Sequence, residues 1–289
     1  MFTRTRDNRN TTLDPITQAI TVKNGDYEVK LSGISHLNGT PKGALLRTCV
    51  SQLFDSLVLA YTATGSKDPT VSITLDDYME ARGLTDRKEA RKQVKTSLEI
   101  LYGASISFTE KRHGKKGRGF YDTRIISAKG IVNSVIQVTF TKDIMEILQG
   151  YPIMPYPLSL LRISGRNQTG YYLLRRIAEH KHMNTGKKNE NIISVKSLLA
   201  SAPNLPTYSE AMKRGKHLKQ SIIDPFNKAM DSLDDTITWE LCGTGGRPLT
   251  DNEINKQDDY DVFSRLLVRV IWRNYPTVPK RVKPKKKKQ

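Results

Sequence analysis

Three prolines within seven residues, Tyr151-Pro-Ile-Met-Pro-Tyr-Pro157, interrupt the chain near its middle. Proline has no backbone N–H and disfavours helix in the residue before it, so no regular element runs through this stretch. The residues on its two sides follow one order: a helix, a short extended piece, a capped short helix, a longer helix, then strands. The spacing predicts an α+β chain of two tandem winged-helix domains, each a helix-turn-helix plus a β-wing. The expected limits are an N-terminal arm at 1–30, a first domain at 31–150, a Pro-rich linker at 151–165, a second domain at 166–275 and a basic tail at 276–289. For the arm, disorder and a reach towards a partner both stand as readings.

In the first half, Asp26 to Ser32 alternates like a short strand. Leu45, Leu46, Val50, Leu53, Leu57 and Leu59 then make one broad apolar helical face. After an extended piece at Asp68 to Ile73, Thr74 reads as the N-cap of a helix over Leu75 to Arg82, with Gly83 as its stop. Thr85 is expected to cap a second helix from Asp86 to Tyr102. On it Ala90, Val94, Leu98 and Leu101 form the inner stripe. Lys88, Lys92 and Lys95 fall opposite that stripe, and Arg91 lies at its flank. Strand patterns at Ala104 to Phe108 and Tyr121 to Ile126 enclose a hairpin tip, Lys111 to Gly119. That tip holds Lys111, Arg112, Lys115, Lys116 and Arg118 together with three glycines, which suits an open turn and no core. A strand at Val135 to Phe140 is expected to complete the same sheet.

The second half repeats the order. Asn167 to Met183 reads as a helix, Ile192-Ile193 as an extended piece, and Ser194 as the cap of Val195 to Ala200. One long helix is expected from Glu210 to Leu233, with Leu218, Ile222, Phe226 and Met230 inward. Lys213, His217, Gln220, Ser221, Asn227 and Lys228 face out, and Arg214, Lys216 and Lys219 add charge. Pro225 inside that helix costs roughly 3 kcal/mol unless a bend absorbs it, so a bend is expected there. Strands at Thr236 to Leu241 and Phe263 to Trp272 flank an acidic second wing, Thr250 to Asp261.

Charge points to the partner. Lys plus Arg number 47 against 29 Asp plus Glu, a net +18. The tail from Lys280 to Gln289 holds seven of these cations, Lys285, Lys286, Lys287 and Lys288 among them, so the remaining residues keep an excess of 11. A basic body of this kind favours a polyanion, because each neutralised phosphate releases condensed counterions. We therefore assign double-stranded DNA as the expected partner and the basic residues named above as its contacts. Gln220 is the expected base reader, since a carboxamide pairs bidentately with adenine. Lys219 lies near the apolar face, where its stem can cover core surface.

Other classes are set aside. No apolar run approaches the roughly 18 residues of a membrane span, and the first residues lack a signal-peptide core. Cys49 and Cys242 offer neither metal spacing nor a disulfide framework. A cytoplasmic protein with reduced thiols is expected, without metal or other cofactor. His180-Lys-His182 with Tyr171 and Tyr172 invites comparison with a metal-dependent rolling-circle nickase. Helical positions two apart diverge by about 200°, however, and the tyrosines sit at the other end of the same helix. No catalytic residue is assigned, and no Walker-type phosphate loop is present.

Two winged-helix patterns, with Leu218-Lys-Gln-Ser-Ile-Ile-Asp-Pro-Phe-Asn-Lys-Ala-Met230 leading into Ile237-Thr-Trp, resemble the Rep initiators of iteron plasmids. The resemblance rests on element order and on Asp224-Pro225 after an aliphatic pair, and it covers roughly residues 40 to 272. It departs from the family in the long acidic second wing and in Phe226 after the proline. It implies a non-catalytic initiator that binds repeated origin sites, dimerises through or adds DNA contacts from its N-terminal domain, promotes origin opening and recruits host replication proteins. A winged-helix transcription regulator is the second reading, and the nickase the third.

Overall fold

The computed structural model describes residues 11–13, 20–24, 27–32, 48–64, 67–111, 118–150, 154–202, 204–213, 215, 217–273 and 275; over 11–32 and 106–122 it describes the backbone alone. Arg112, Lys115, Lys116, Arg214, Lys216, Lys285, Lys286, Lys287 and Lys288 lie outside the described residues.

The chain opens with three short strands, β1 (Thr11–Leu13), β2 (Ile20–Asn24) and β3 (Tyr27–Ser32), paired antiparallel in order. Within the stretch read from the sequence as an arm, residues 11–13, 20–24 and 27–30 are thus strand. Helix α1 (Thr48–Thr64) follows, then β4 (Thr70–Thr74) and α2 (Leu75–Arg82). Helix α2 begins and ends where the sequence predicts. The Thr74 hydroxyl accepts from the Asp77 amide at 3.0 Å, and Gly83 closes the helix at φ 64°, a left-handed position that glycine adopts without a Cβ clash. Helix α3 (Arg87–Gly103) is capped by Asp86, not Thr85: the carboxylate of Asp86 accepts from the Glu89 amide at 2.9 Å. An anionic cap gains from the helix dipole as well as from the hydrogen bond.

The strands after α3 differ from the expectation. Strands β5 (Ser105–Lys111) and β6 (Arg118–Arg124) form a hairpin, and β5 pairs with β3, giving the sheet order β1-β2-β3-β5-β6. The strand expected to complete that sheet, β8 (Val135–Phe140), instead pairs with β4 and with a strand absent from the sequence reading, β7 (Ile126–Val132). Asn133 and Ser134 join β7 to β8 with φ values of 48° and 63°. Positive φ at both central residues is the turn that matches the right-handed twist of paired strands. The hairpin attached to the helix-turn-helix is therefore β7–β8, and the basic hairpin β5–β6 belongs to a separate sheet. Helix α4 (Lys142–Gly150) closes this unit.

Short helix α5 (Ser159–Arg162) and long helix α6 (Gln168–Met183) begin the second unit. Strand β9 (Ile192–Ser194), α7 (Val195–Ser201) and α8 (Tyr208–Lys213) come next. The single long helix expected from Glu210 is broken. Gly215 stands at φ 60° after α8, and helical structure resumes as a π-turn over Lys219–Ile223 that runs into α9 (Asp224–Asp231). The Asp224 amide bonds to the Lys219 carbonyl across the wide turn. Pro225 thus sits where the wider turn accommodates its missing N–H, and the expected bend is replaced by a change of helical pitch. Strand β10 (Ile237–Cys242), small helices α10 (Asp251–Asn255) and α11 (Tyr260–Phe263), and β11 (Leu267–Trp272) complete the chain's described fold, with sheet order β10-β11-β9.

Each unit has its own core. The first packs Leu53 and Leu57 of α1 against Leu75, Tyr78, Val94, Leu98, Ile136 and Phe140. The second packs Tyr171, Leu174 and Ile177 of α6 against Val195, Leu198, Phe226, Met230 and Val268. Phe226 meets Phe263 edge-on at 5.4 Å, which joins α9 to α11. Both are winged-helix units of an α+β chain: helix, short strand, two helices and a sheet-forming hairpin.

Polar contacts join the units. Gln52 Nε2 on α1 lies within hydrogen-bonding distance of the carbonyls of Leu160, Leu161 and Ile163. Asp55 Oδ2 accepts from Arg175 at 2.7 Å and from the Tyr171 hydroxyl at 3.0 Å. The Arg175 guanidinium also lies 4.5 Å from the Tyr156 ring centre.

Candidate nucleic-acid interface

Helix α3 is held at both its inner face and its start. Ala90, Val94, Ser97, Leu98 and Leu101 are buried against α1 and the sheet. Near its first turn, Arg87 forms an ion pair with Asp76 of α2, and the Leu84 amide bonds back to Met79 at 2.8 Å to shape the turn between the two helices. These constraints leave Lys88, Arg91, Lys92 and Lys95 exposed together on the outer face. Among the described residues, none of the four meets a carboxylate within ion-pair distance.

Two cations that the sequence reading missed border the end of this helix. Lys129 of β7 pairs with Glu99 and lies 4.9 Å from the Tyr102 ring centre, and Arg124 of β6 lies 5.6 Å from the same ring. The turn pair Asn133–Ser134 ahead of the Val135 strand was the signal that would have placed β7, and with it Lys129. Lys111 and Arg118 face each other as the last described pair of the basic hairpin.

The second unit presents a mixed surface. Lys213 at the end of α8, His217, Gln220 and Lys228 are exposed, and Ser221 is half-buried. Asn227 is half-buried and its Oδ1 is enclosed without a hydrogen-bond partner, so it stands apart from the exposed row. Lys219 does not cover the core with its stem: its Nζ binds Asp258 Oδ2 at 2.6 Å, which raises its pKa above the ordinary lysine value. Asp258 comes from the acidic wing, so that wing folds against the exposed helix.

Small helix α10 shapes the wing through a capping box, with Thr250 and Glu253 bonding each other's backbone. Arg247 grips Glu253 through two hydrogen bonds of 2.8 Å. With the Thr250 amide they lower the Glu253 pKa to about 2.

Tyr171 and Tyr172, the tyrosines of the nickase reading, are buried in the second core. Burial pushes the Tyr172 phenol up to about 12 and Tyr171 still further above its ordinary value. His180 Nε2 lies 2.9 Å from the Asn189 carbonyl. No cluster of three or more metal-ligating side chains occurs among the described residues, and no helix among them is long and apolar enough to cross a membrane.

The order and packing of the first unit define a winged-helix domain whose second turn helix is basic and open. Residues 42–151 match the family described as Initiator Replication protein, WH1. That match lies within the stretch over which the sequence resembles replication initiators, and it covers the first unit alone. The chain is also similar to the WH1 domain of MSBI1.176, a replication protein isolated from a multiple sclerosis patient, with 18% identity and a TM-score of 0.28 over 35% of this chain and 78% of that one. It is similar to a structure of domains 2 and 3 of RctB at 10% identity and a TM-score of 0.49, covering 93% of this chain and 98% of that one. A second structure of RctB domains 2–3 has 11% identity and a TM-score of 0.44, covering 77% and 81%. No curated protein sequence matches the chain.

Proposed function

We propose that this protein is a plasmid replication initiator that binds repeated double-stranded sites at an origin, promotes their opening and recruits host replication proteins, without covalent chemistry of its own. One observation carries the reading: α3, the second turn helix of a unit that matches the initiator WH1 family, offers Lys88, Arg91, Lys92 and Lys95 to solvent, none of them ion-paired among the described residues. A helix so placed fits the major groove, and its lysines reach phosphates on the groove walls. The second unit supplies Gln220 as a base reader and Lys213, His217 and Lys228 as positioning contacts. Its acidic wing keeps Lys219 from adding to that charge.

Titration of fluorescent duplexes carrying direct repeats from beside the gene tests this reading. Lys92→Ala/Lys95→Ala weakens binding to every sequence and lowers the salt slope by about two. A slope unchanged by both substitutions removes α3 from the interface. Initiation itself is read by whether the gene and its neighbouring repeats sustain an origin-less circle.

A further inference from the structure

A cleft of about 510 Å³ opens where the two units meet. Thr48 of α1, Arg82 at the end of α2 and Gln93 of α3 line it from the first unit. Arg162, Arg166 and Gln168 line it from the second. Three guanidinium groups share this lining with no Asp or Glu. Among the described residues none of the three arginines forms an ion pair.

Among the described residues, two buried polar groups in the lining have no hydrogen-bond partner. Thr48 is fully buried and its Oγ1 has no hydrogen-bond partner. Arg82 is 5% exposed; its Nη1 donates to the Tyr78 hydroxyl at 2.8 Å, and its Nε has no partner among the described residues. Leaving a buried donor unsatisfied costs about 1–3 kcal/mol, more for a charged group. An anion with acceptor oxygens would satisfy both groups. Arginine forks match phosphate in shape and charge. Helix α6 starts at Gln168, so the positive end of a 16-residue helix borders the same cleft.

We propose that this cleft is a phosphate-binding site, and that the bound phosphate bridges the two units by engaging Arg82 and Thr48 on one side and Arg162 and Arg166 on the other. The phosphate belongs either to the backbone of bound duplex or to a small phosphorylated molecule, and the cleft volume falls within the roughly 300–1,000 Å³ of small-molecule sites.

Arg162 and Arg166 are exposed, so Arg162→Ala/Arg166→Ala leaves both cores intact. The full chain is compared with this variant and with a control of equal charge, Lys188→Ala/Lys196→Ala. One arm follows thermal unfolding with and without inorganic pyrophosphate, and the other follows the salt slope of duplex binding. Pyrophosphate raising the Tm of wild type and control, with the rise lost in the arginine variant, assigns a small phosphorylated ligand. A salt slope that falls by about one to two in the arginine variant and not in the control assigns a DNA phosphate. If the arginine variant behaves like the control in both arms, the site does not exist. The thermal arm contains no DNA, so its outcome is separable from that of the DNA-binding reading.

Discussion

Lys219 is a cation held in reserve by a neighbouring carboxylate. Its Nζ bonds to Asp258 across 2.6 Å, and both side chains are about half exposed. An exposed pair of this kind adds little to stability, but it removes a positive charge from the face we propose for DNA. Asp258→Asn should release it. We expect tighter binding to all duplexes and a salt slope larger by about one, measured by anisotropy over a salt series. Glu253 acts on the same wing at low pH. Its pKa falls from 4.5 to about 2 on folding, chiefly through Arg247 and then through the Thr250 amide. A depressed carboxylate stabilises fully above its unfolded value and loses that effect as the pH drops through its folded one. Wing order, followed by amide exchange at Thr250 to Asn255, should therefore weaken between about pH 4.5 and 2, and Glu253→Gln should abolish that pH dependence. The Lys219–Asp258 contact was not legible in the sequence, because residues 219 and 258 meet only after the wing folds back.

Elements show where local signals suffice and where they fail. Thr74, Gly83 and Ser194 act within one helical turn of themselves, so the ends of α2 and the start of α7 could be read directly. Strand β7 was missed because Ile126 to Val132 contains Ser127, Ala128, Lys129 and Gly130 and so alternates poorly. Its pairing with β8 depends on the Asn133–Ser134 turn. Serine pays for a left-handed backbone with a Cβ clash of about 1–2 kcal/mol, which glycine avoids at some entropic cost. Ser134→Gly should raise stability by about 1 kcal/mol in urea denaturation, with the Leu75 amide still bonded to the carbonyl of residue 134. The π-turn over Lys219–Ile223 is a second such case. It inserts one extra residue ahead of Pro225 and so rotates Lys219 and Gln220 by about 100° relative to a regular helix anchored at Phe226 and Met230. Pro225→Ala permits the regular pitch. We expect altered site preference in a selection experiment, with the unfolding transition retained.

The whole molecule is two cores tied by a few polar contacts. Asp55 joins α1 to Arg175 and Tyr171 of α6, and Arg175 is only 9% exposed at its side chain. Removing one member of a buried pair leaves the other charge uncompensated, at a cost of about 3–5 kcal/mol. Asp55→Ala should lose about 3 kcal/mol, the low end, because the carboxylate itself is 20% exposed. The loss should fall on the junction, so chemical denaturation should split into two transitions where wild type shows one. A single unshifted transition would show that Asp55 does not hold the units together.

The linear chain decided its class. Apolar periodicity, helix caps and the central prolines act over a few residues, so they set the number of units and the order of helices within each, and the excess of basic residues set the sign of the partner. Folding decided everything that joins distant residues. It moved the basic hairpin into a sheet with the first strands, set Asp258 against Lys219, turned a proline bend into a π-turn, and gathered Arg82, Arg162 and Arg166 around one cleft. These outcomes depend on strand pairing and on packing between units. Such contacts link residues tens to more than a hundred positions apart, and no local pattern records them.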